Sequence, residues 1–186
     1  MALRRGFKTE ANEIALEVRS ELGLRPIDRL DAWALARHLD IPVHPLSALR
    51  QQAPAALRHF SEVHPAVFSA VTVFNGATNR AIYHNDAHSP VRQASNLAHE
   101  LAHGLLLHPP TPALDDRGCR EWDRDIEDEA TWLGGALLIT EQAALSIVRR
   151  GLSMSQAAAI YGVSEQMVGY RLNLTAARRR VKVPRR

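Results

Sequence analysis

Cysteine occurs once in the 186 residues, at Cys119. A single thiol excludes a disulfide framework and a Cys-rich zinc module. Lysine is nearly as scarce: 2 of the 23 basic residues are Lys and 21 are Arg, a bias we read as genome composition rather than chemistry. No apolar run approaches 18 residues, so no membrane span is expected. The opening stretch MALRRGFKTEANEIALEV has no apolar core of the kind a secretory signal needs. There is no internal repeat, and no low-complexity tract apart from a basic C-terminus. What is present is an ordinary globular composition, 46% apolar and 23% charged. The length favours one domain with a short appendage, able to bury a core without disulfides. We therefore expect a soluble, cytoplasmic protein.

The formal net charge of +3 is unevenly placed. Residues 166–186 carry seven basic residues and no acids. The first 165 residues then hold 23 − 7 = 16 basic and 20 acidic residues, a net charge of −4. The chain is a mildly acidic body with a basic tail, and any affinity for nucleic acid is a weak contact through that tail.

Hydrophobic spacing predicts helices over residues 9–22 and 28–39, with a short strand at Ile41-Pro42-Val43. Residues 44–65 hold three prolines and no period, as a variable connection would. Residues 67–74 and 80–84 read as strands joined by a turn at Asn75-Gly76. Ser89-Pro90 starts a helix that runs to about Leu107. Further helices are predicted from about Asp125 to Ile139, from Thr140 to Arg150, and around 155–161 and 165–173. The fold class is α+β: a small antiparallel sheet packed against a mainly helical core, with C-terminal helices. We divide the chain into a body over 1–150, a helix-turn-helix-like pair over 151–175 and a basic, disordered tail over 176–186.

The long helix carries His99-Glu100-Leu101-Ala102-His103, an HExxH motif. Residues four apart share one helical face, so both imidazoles reach a single ion. Glu100 lies about 100° round the helix from His99, beside the ion, where it can take a proton from an attacking water. Zinc suits imidazole and carboxylate donors, and a catalytic zinc site takes three protein ligands. Random placement gives roughly 0.03 such motifs in a chain with this many His and Glu residues, so two incidental surface histidines are a poor account of it.

Two histidines need a third ligand. The downstream candidates are His108, Asp115, Asp116, Glu121, Asp123, Asp125, Glu127, Asp128 and Glu129. His108, five residues past His103, points away if the helix continues. A carboxylate from the next helix is favoured. There Glu127, Thr131, Gly134 and Leu138 share a face, and the glycine permits close approach. Glu129 is the competitor. An oxyanion partner is expected from Tyr83, His84 or His88, with nothing to select among them. The strand at 67–74 is either an edge to which an extended substrate adds or ordinary core.

The stretches NLAHELAHGLLLH and IEDEATWLGGALLIT resemble the two halves of the ImmA/IrrE metallopeptidase domain, with similarity over roughly residues 10–142. The family pattern is AHExxH and Gly, followed by a helix of the form E-x-x-A-(N/D)-x-F-A-x-x-L-L. The resemblance implies a thermolysin-like, zincin-type core and an intracellular zinc peptidase acting on helix-turn-helix repressors. It implies His99, His103 and Glu127 as metal ligands and Glu100 as general base. Thr131 stands where the family often has Asn or Asp, Trp132-Leu133-Gly134 replaces Phe-Ala-Ala, and Thr140 replaces Pro.

The segment MSQAAAIYGVSEQMVGYRL has the spacing of a helix-turn-helix, which either enters a DNA groove or packs on the body. We favour packing. The expected function is zinc-dependent hydrolysis of a peptide bond in a specific protein substrate, a helix-turn-helix repressor. The alternative is a non-catalytic regulator that binds DNA or a partner on the same fold.

Overall fold

A computed structural model describes residues 3–75, 79–109 and 123–181. The turn expected at Asn75-Gly76 lies largely outside these residues, as do Cys119 and the candidates Asp115, Asp116 and Glu121. The fold is α+β. Helices α1 (Phe7–Glu21) and α2 (Ala32–His38) precede strand β1 (Val43–Pro45). A 3-10 turn (Leu46–Leu49), helix α3 (Pro54–Arg58) and a π turn (His59–Val63) lead to strands β2 (Ala70–Asn75) and β3 (Asn79–His84). Helices α4 (Pro90–Leu105), α5 (Arg124–Leu138), α6 (Glu141–Arg149), α7 (Met154–Tyr161), α8 (Glu165–Leu174) and α9 (Ala177–Arg180) follow.

Local chemistry sets most boundaries. Asp31 caps α2 by accepting from the Trp33 amide at 2.9 Å. The helix therefore begins at residue 32 and not at 28, where Asp28 instead holds the turn through the Arg25 amide. Thr140 caps α6 through the Ala143 amide. Ser153 and Gln156 form a reciprocal capping box on α7.

The sheet has the order β1-β3-β2. The β2–β3 pair is antiparallel, as expected for a hairpin, with Thr72 opposite Ile82. β1 joins β3 in parallel, so the sheet is mixed and not wholly antiparallel. The connection from residue 46 to residue 69 is long enough to carry the chain past β3, which allows the parallel pairing. β2 is left at one edge.

α5 is the central helix, and its residues 132–138 are buried all round. Two adjacent glycines make this packing feasible. A Cβ on Gly134 would lie 3.1 Å from the His99 Cα of α4, and one on Gly135 would lie 3.1 Å from the Arg171 side chain of α8. Its C-terminal carbonyls are held by two buried arginines. Arg19 donates to the Leu137 carbonyl at 2.7 Å, and Arg171 donates to the Ile139 carbonyl at 2.8 Å. Burial pushes both guanidinium groups down to about 10, so they stay protonated at neutral pH, opposite the negative end of the helix. Arg19→Ala leaves an orphan carbonyl and a cavity. We expect a loss of about 2–4 kcal/mol in a denaturant unfolding curve.

The C-terminal helices pack on the body. Val168 and Leu172 of α8 share an apolar cluster with Leu138, Ile139 and Ile147. The tail expected to be disordered from residue 176 begins as α9, whose Ala177 is buried and whose Arg180 meets Glu141 at 2.7 Å. No single helix among the described residues is long and apolar enough to cross a membrane.

Candidate metal centre

α4 presents Leu97, Ala98, Leu101 and Ala102 to the core. α4 is wedged between α5, α2 and the sheet. His99, Glu100 and His103 then lie along its less buried side. Gly134 lets α5 lie against the α4 backbone at His99, and one turn back α5 presents Thr131 and two turns back Glu127.

The three expected ligands converge. His99 Nε2 lies 3.1 Å from His103 Nε2 and 3.2 Å from Glu127 Oε2, and His103 Nε2 lies 3.7 Å from Glu127 Oε1. An ion bonded at about 2.0–2.1 Å in a tetrahedral shell keeps its ligands roughly 3.3–3.4 Å apart. The two spacings to His99 are close to that shell and the one from His103 to the other Glu127 oxygen is a little longer, and two imidazoles with one carboxylate are a donor set that zinc accepts. Among the described residues this is the only such cluster of metal-ligating side chains. Gly134→Val inserts an isopropyl group against the α4 backbone. We expect it to cost about 1–3 kcal/mol by overpacking and, by moving Glu127 off the histidines, to weaken any metal binding in a chelator competition.

The remaining candidates go elsewhere. Asp123 caps α5 through the amides of Asp125 and Ile126. Asp125 and Asp128 are not among the converging groups. Glu129, the competitor for third ligand, pairs with Arg4 at 3.0 Å and faces His108 at 3.5 Å. His108 does not point away from the site. Leu106 caps α4, Leu107 takes a left-handed conformation at φ 54°, and the His108 amide returns to the His103 carbonyl. The helix therefore does not continue, and the His108 ring comes back against His103, with the two Nδ1 atoms 2.9 Å apart.

Two polar groups at the site escaped the sequence reading. Thr72 of β2 donates to Glu100 Oε2 at 2.6 Å, leaving Oε1 without a hydrogen-bond partner among the described residues. Thr72 is two residues from both Ala70 and Phe74, so it shares their face of the sheet, and this is the only trace the contact leaves in the sequence. Asn96, one turn before His99, lines a cleft of about 300 Å³ with Val67, Phe68, His99, Glu100 and Glu127. A larger cavity of about 370 Å³ lies away from this site, beside Arg50, Arg58 and Asp86.

None of the three residues expected to supply an oxyanion partner lines the cleft. Tyr83 stacks on His44, and it alternates with the buried Ile82 on β3, so it sits on the opposite face of the sheet. His84 is buried edge-on to Trp33, and desolvation holds its imidazole below the ordinary 6.5. His88 is engaged by the Pro65 carbonyl at 2.8 Å. With Asn85, whose amide donates to the Phe60 and Phe68 carbonyls, it ties the segment before β2 to the head of α4 and so fixes one wall of the cleft.

No curated protein matches the chain. A family model described as the IrrE N-terminal-like domain, a peptidase family, matches residues 37–173. The match takes in the sheet, both helices of the metal cluster and most of α8. On this match, which covers most of its length, the chain belongs to the IrrE N-terminal-like domain family of peptidases.

Proposed function

We propose that this protein is a zinc-dependent endopeptidase of the cytoplasm that hydrolyses a peptide bond in a specific protein, a helix-turn-helix repressor. The observation that carries the catalytic part is the convergence of His99, His103 and Glu127 within reach of one ion, with Glu100 beside them on the same helix. The repressor as substrate follows from the resemblance of the two site helices to the ImmA/IrrE domain.

His99 and His103 would hold zinc through Nε2, and Glu127 would hold it through its carboxylate. Zinc, when bound, polarises the scissile carbonyl and makes an attacking water more acidic. Glu100 receives the proton of that water and passes it to the leaving amine. Thr72 holds one Glu100 oxygen, so the free oxygen keeps a fixed direction. The Thr131 hydroxyl, 3.5 Å from His99 Nδ1, steadies the first histidine. β2 is an edge strand whose Ala70 lines the cleft, so an extended substrate adds to its open edge by main-chain hydrogen bonds. The exposed Val67 and the side chain of Phe68 offer that substrate an apolar contact.

Metal analysis tests this reading directly. One zinc per chain is expected in protein purified without chelator, with cleavage lost on chelation and restored by zinc. Protein that holds no stoichiometric zinc would sink it. The substrate is to be found by comparing the proteins that disappear on expression of the wild type with those that survive beside a Glu100→Gln form.

A further inference from the structure

We propose that His108 is a positioning residue: it holds His103 in the tautomer that leaves Nε2 free for a metal, and Glu129 sets His108 in turn. The inference rests on the metal-site reading above and extends it to residues outside the ligand set.

The backbone places the ring. The amide of His108 donates to the His103 carbonyl at 3.0 Å, across a left-handed Leu107. That conformation is unfavourable for a residue other than glycine, and Leu107 is 85% exposed, so its own side chain recovers little of the cost by burial. The turn brings His108 under the last turn of α4 with its side chain 9% exposed.

The hydrogen positions follow from the contacts. His108 Nε2 is buried, has no hydrogen-bond partner among the described residues, and faces Glu129 Oε2 at 3.5 Å. A carboxylate facing a ring nitrogen is favourable when that nitrogen carries the proton and repulsive when it presents a lone pair. Arg4, at 3.0 Å from the other oxygen, holds Glu129 in place. In neutral His108 the proton therefore sits on Nε2, and Nδ1 is an acceptor. The two Nδ1 atoms at 2.9 Å need one proton between them, so it belongs to His103. His103 Nε2 then keeps its lone pair for an ion, which would lie between it, His99 Nε2 and Glu127 and take the place of a proton facing that carboxylate. The reverse arrangement puts a hydrogen on His103 Nε2 and blocks the ion. Fixing a ligand imidazole through its second nitrogen in this way raises metal affinity.

The test is zinc affinity, measured on the metal-free full chain by competition with a chelator of known strength. His108→Leu keeps bulk and removes the acceptor, and is expected to bind zinc about 10–100-fold more weakly. His108→Asn places a carbonyl oxygen near the position of Nδ1 and is expected to recover most of that loss. A role in packing alone predicts the opposite order. Wild-type affinity in His108→Leu, or an Asn variant no better than Leu, overturns the proposal. The wild type gives a check independent of either variant folding. Long-range proton–nitrogen correlation in the zinc-loaded protein is expected to show His108 protonated at Nε2 and His103 at Nδ1, and a proton on His108 Nδ1 overturns it. A wild type that binds no zinc would overturn this proposal together with the function it rests on, whereas zinc binding that His108→Leu leaves intact overturns this proposal alone.

Discussion

Glu100→Gln is expected to slow peptide-bond cleavage by about 10²–10⁴-fold, the range typical of a lost general base, while zinc content and thermal stability stay at wild-type levels. The reason lies in what the substitution keeps. A glutamine has the same shape, and its carbonyl oxygen still accepts the hydroxyl of Thr72, which donates to Glu100 Oε2 at 2.6 Å. Its amide cannot take a proton from water. Glu100 is also absent from the converging ligand set, so the ion loses no donor. The measurement is kcat/KM on the identified substrate, with metal content determined on the same preparation. Cleavage at the wild-type rate would assign the base to another group. If every biological effect of the protein survived as well, the non-catalytic regulator would be the better account.

The second large effect is expected at Glu127. Glu127→Ala removes the one carboxylate of the cluster, 3.2 Å from His99 and 3.7 Å from His103. Zinc affinity should fall by more than the roughly 10–100-fold that an outer partner of a ligand costs, and cleavage should fall with it. Glu129→Ala should cost no more than that outer range, because Glu129 reaches the cluster only through His108. The pair of variants, compared in one chelator competition, separates the two carboxylates that the sequence left as rivals. Equal losses from both would mean that Glu127 is not a ligand.

The chemistry on α4 was legible from spacing. His99 and His103 are four residues apart, and helical geometry alone puts them on one face. Ser89-Pro90 marked the start of that helix, and residues 80–84 were readable as a strand next to a hairpin turn. The Gly134 reading also came from the sequence, since a small residue on the face of Glu127 and Thr131 permits close approach. The structure bears it out: a Cβ there would sit 3.1 Å from the His99 Cα. What failed was of a different kind. His108 was expected to point away because its offset from His103 was judged on a continuing helix. One left-handed residue, Leu107, ends the helix and reverses the ring. Leucine is seldom found in that conformation, so no local signal announced it. The parallel pairing of β1 was hidden for a similar reason. Strand orientation depends on where a connection of more than 20 residues travels, and residues 44–65, which make up most of it, show no period from which to read a path.

The reactive types and their order can be read along the chain: a helix with two histidines and a glutamate at fixed angular offsets, and a second helix rich in acids. These are short-range facts, set by the period of one helix and the chemistry of its caps. Which acid meets the histidines, and which groups stand behind them, is set by long-range packing, and the folded chain shows the outcome. Packing brought Glu127 to the cluster, sent Glu129 to Arg4 and His108, laid Thr72 on Glu100, and kept Tyr83, His84 and His88 out of the cleft. Such choices depend on how closely α5 lies on α4 and which strand lies at the sheet edge. Both come from packing across segments far apart in the chain, where no periodicity carries the information.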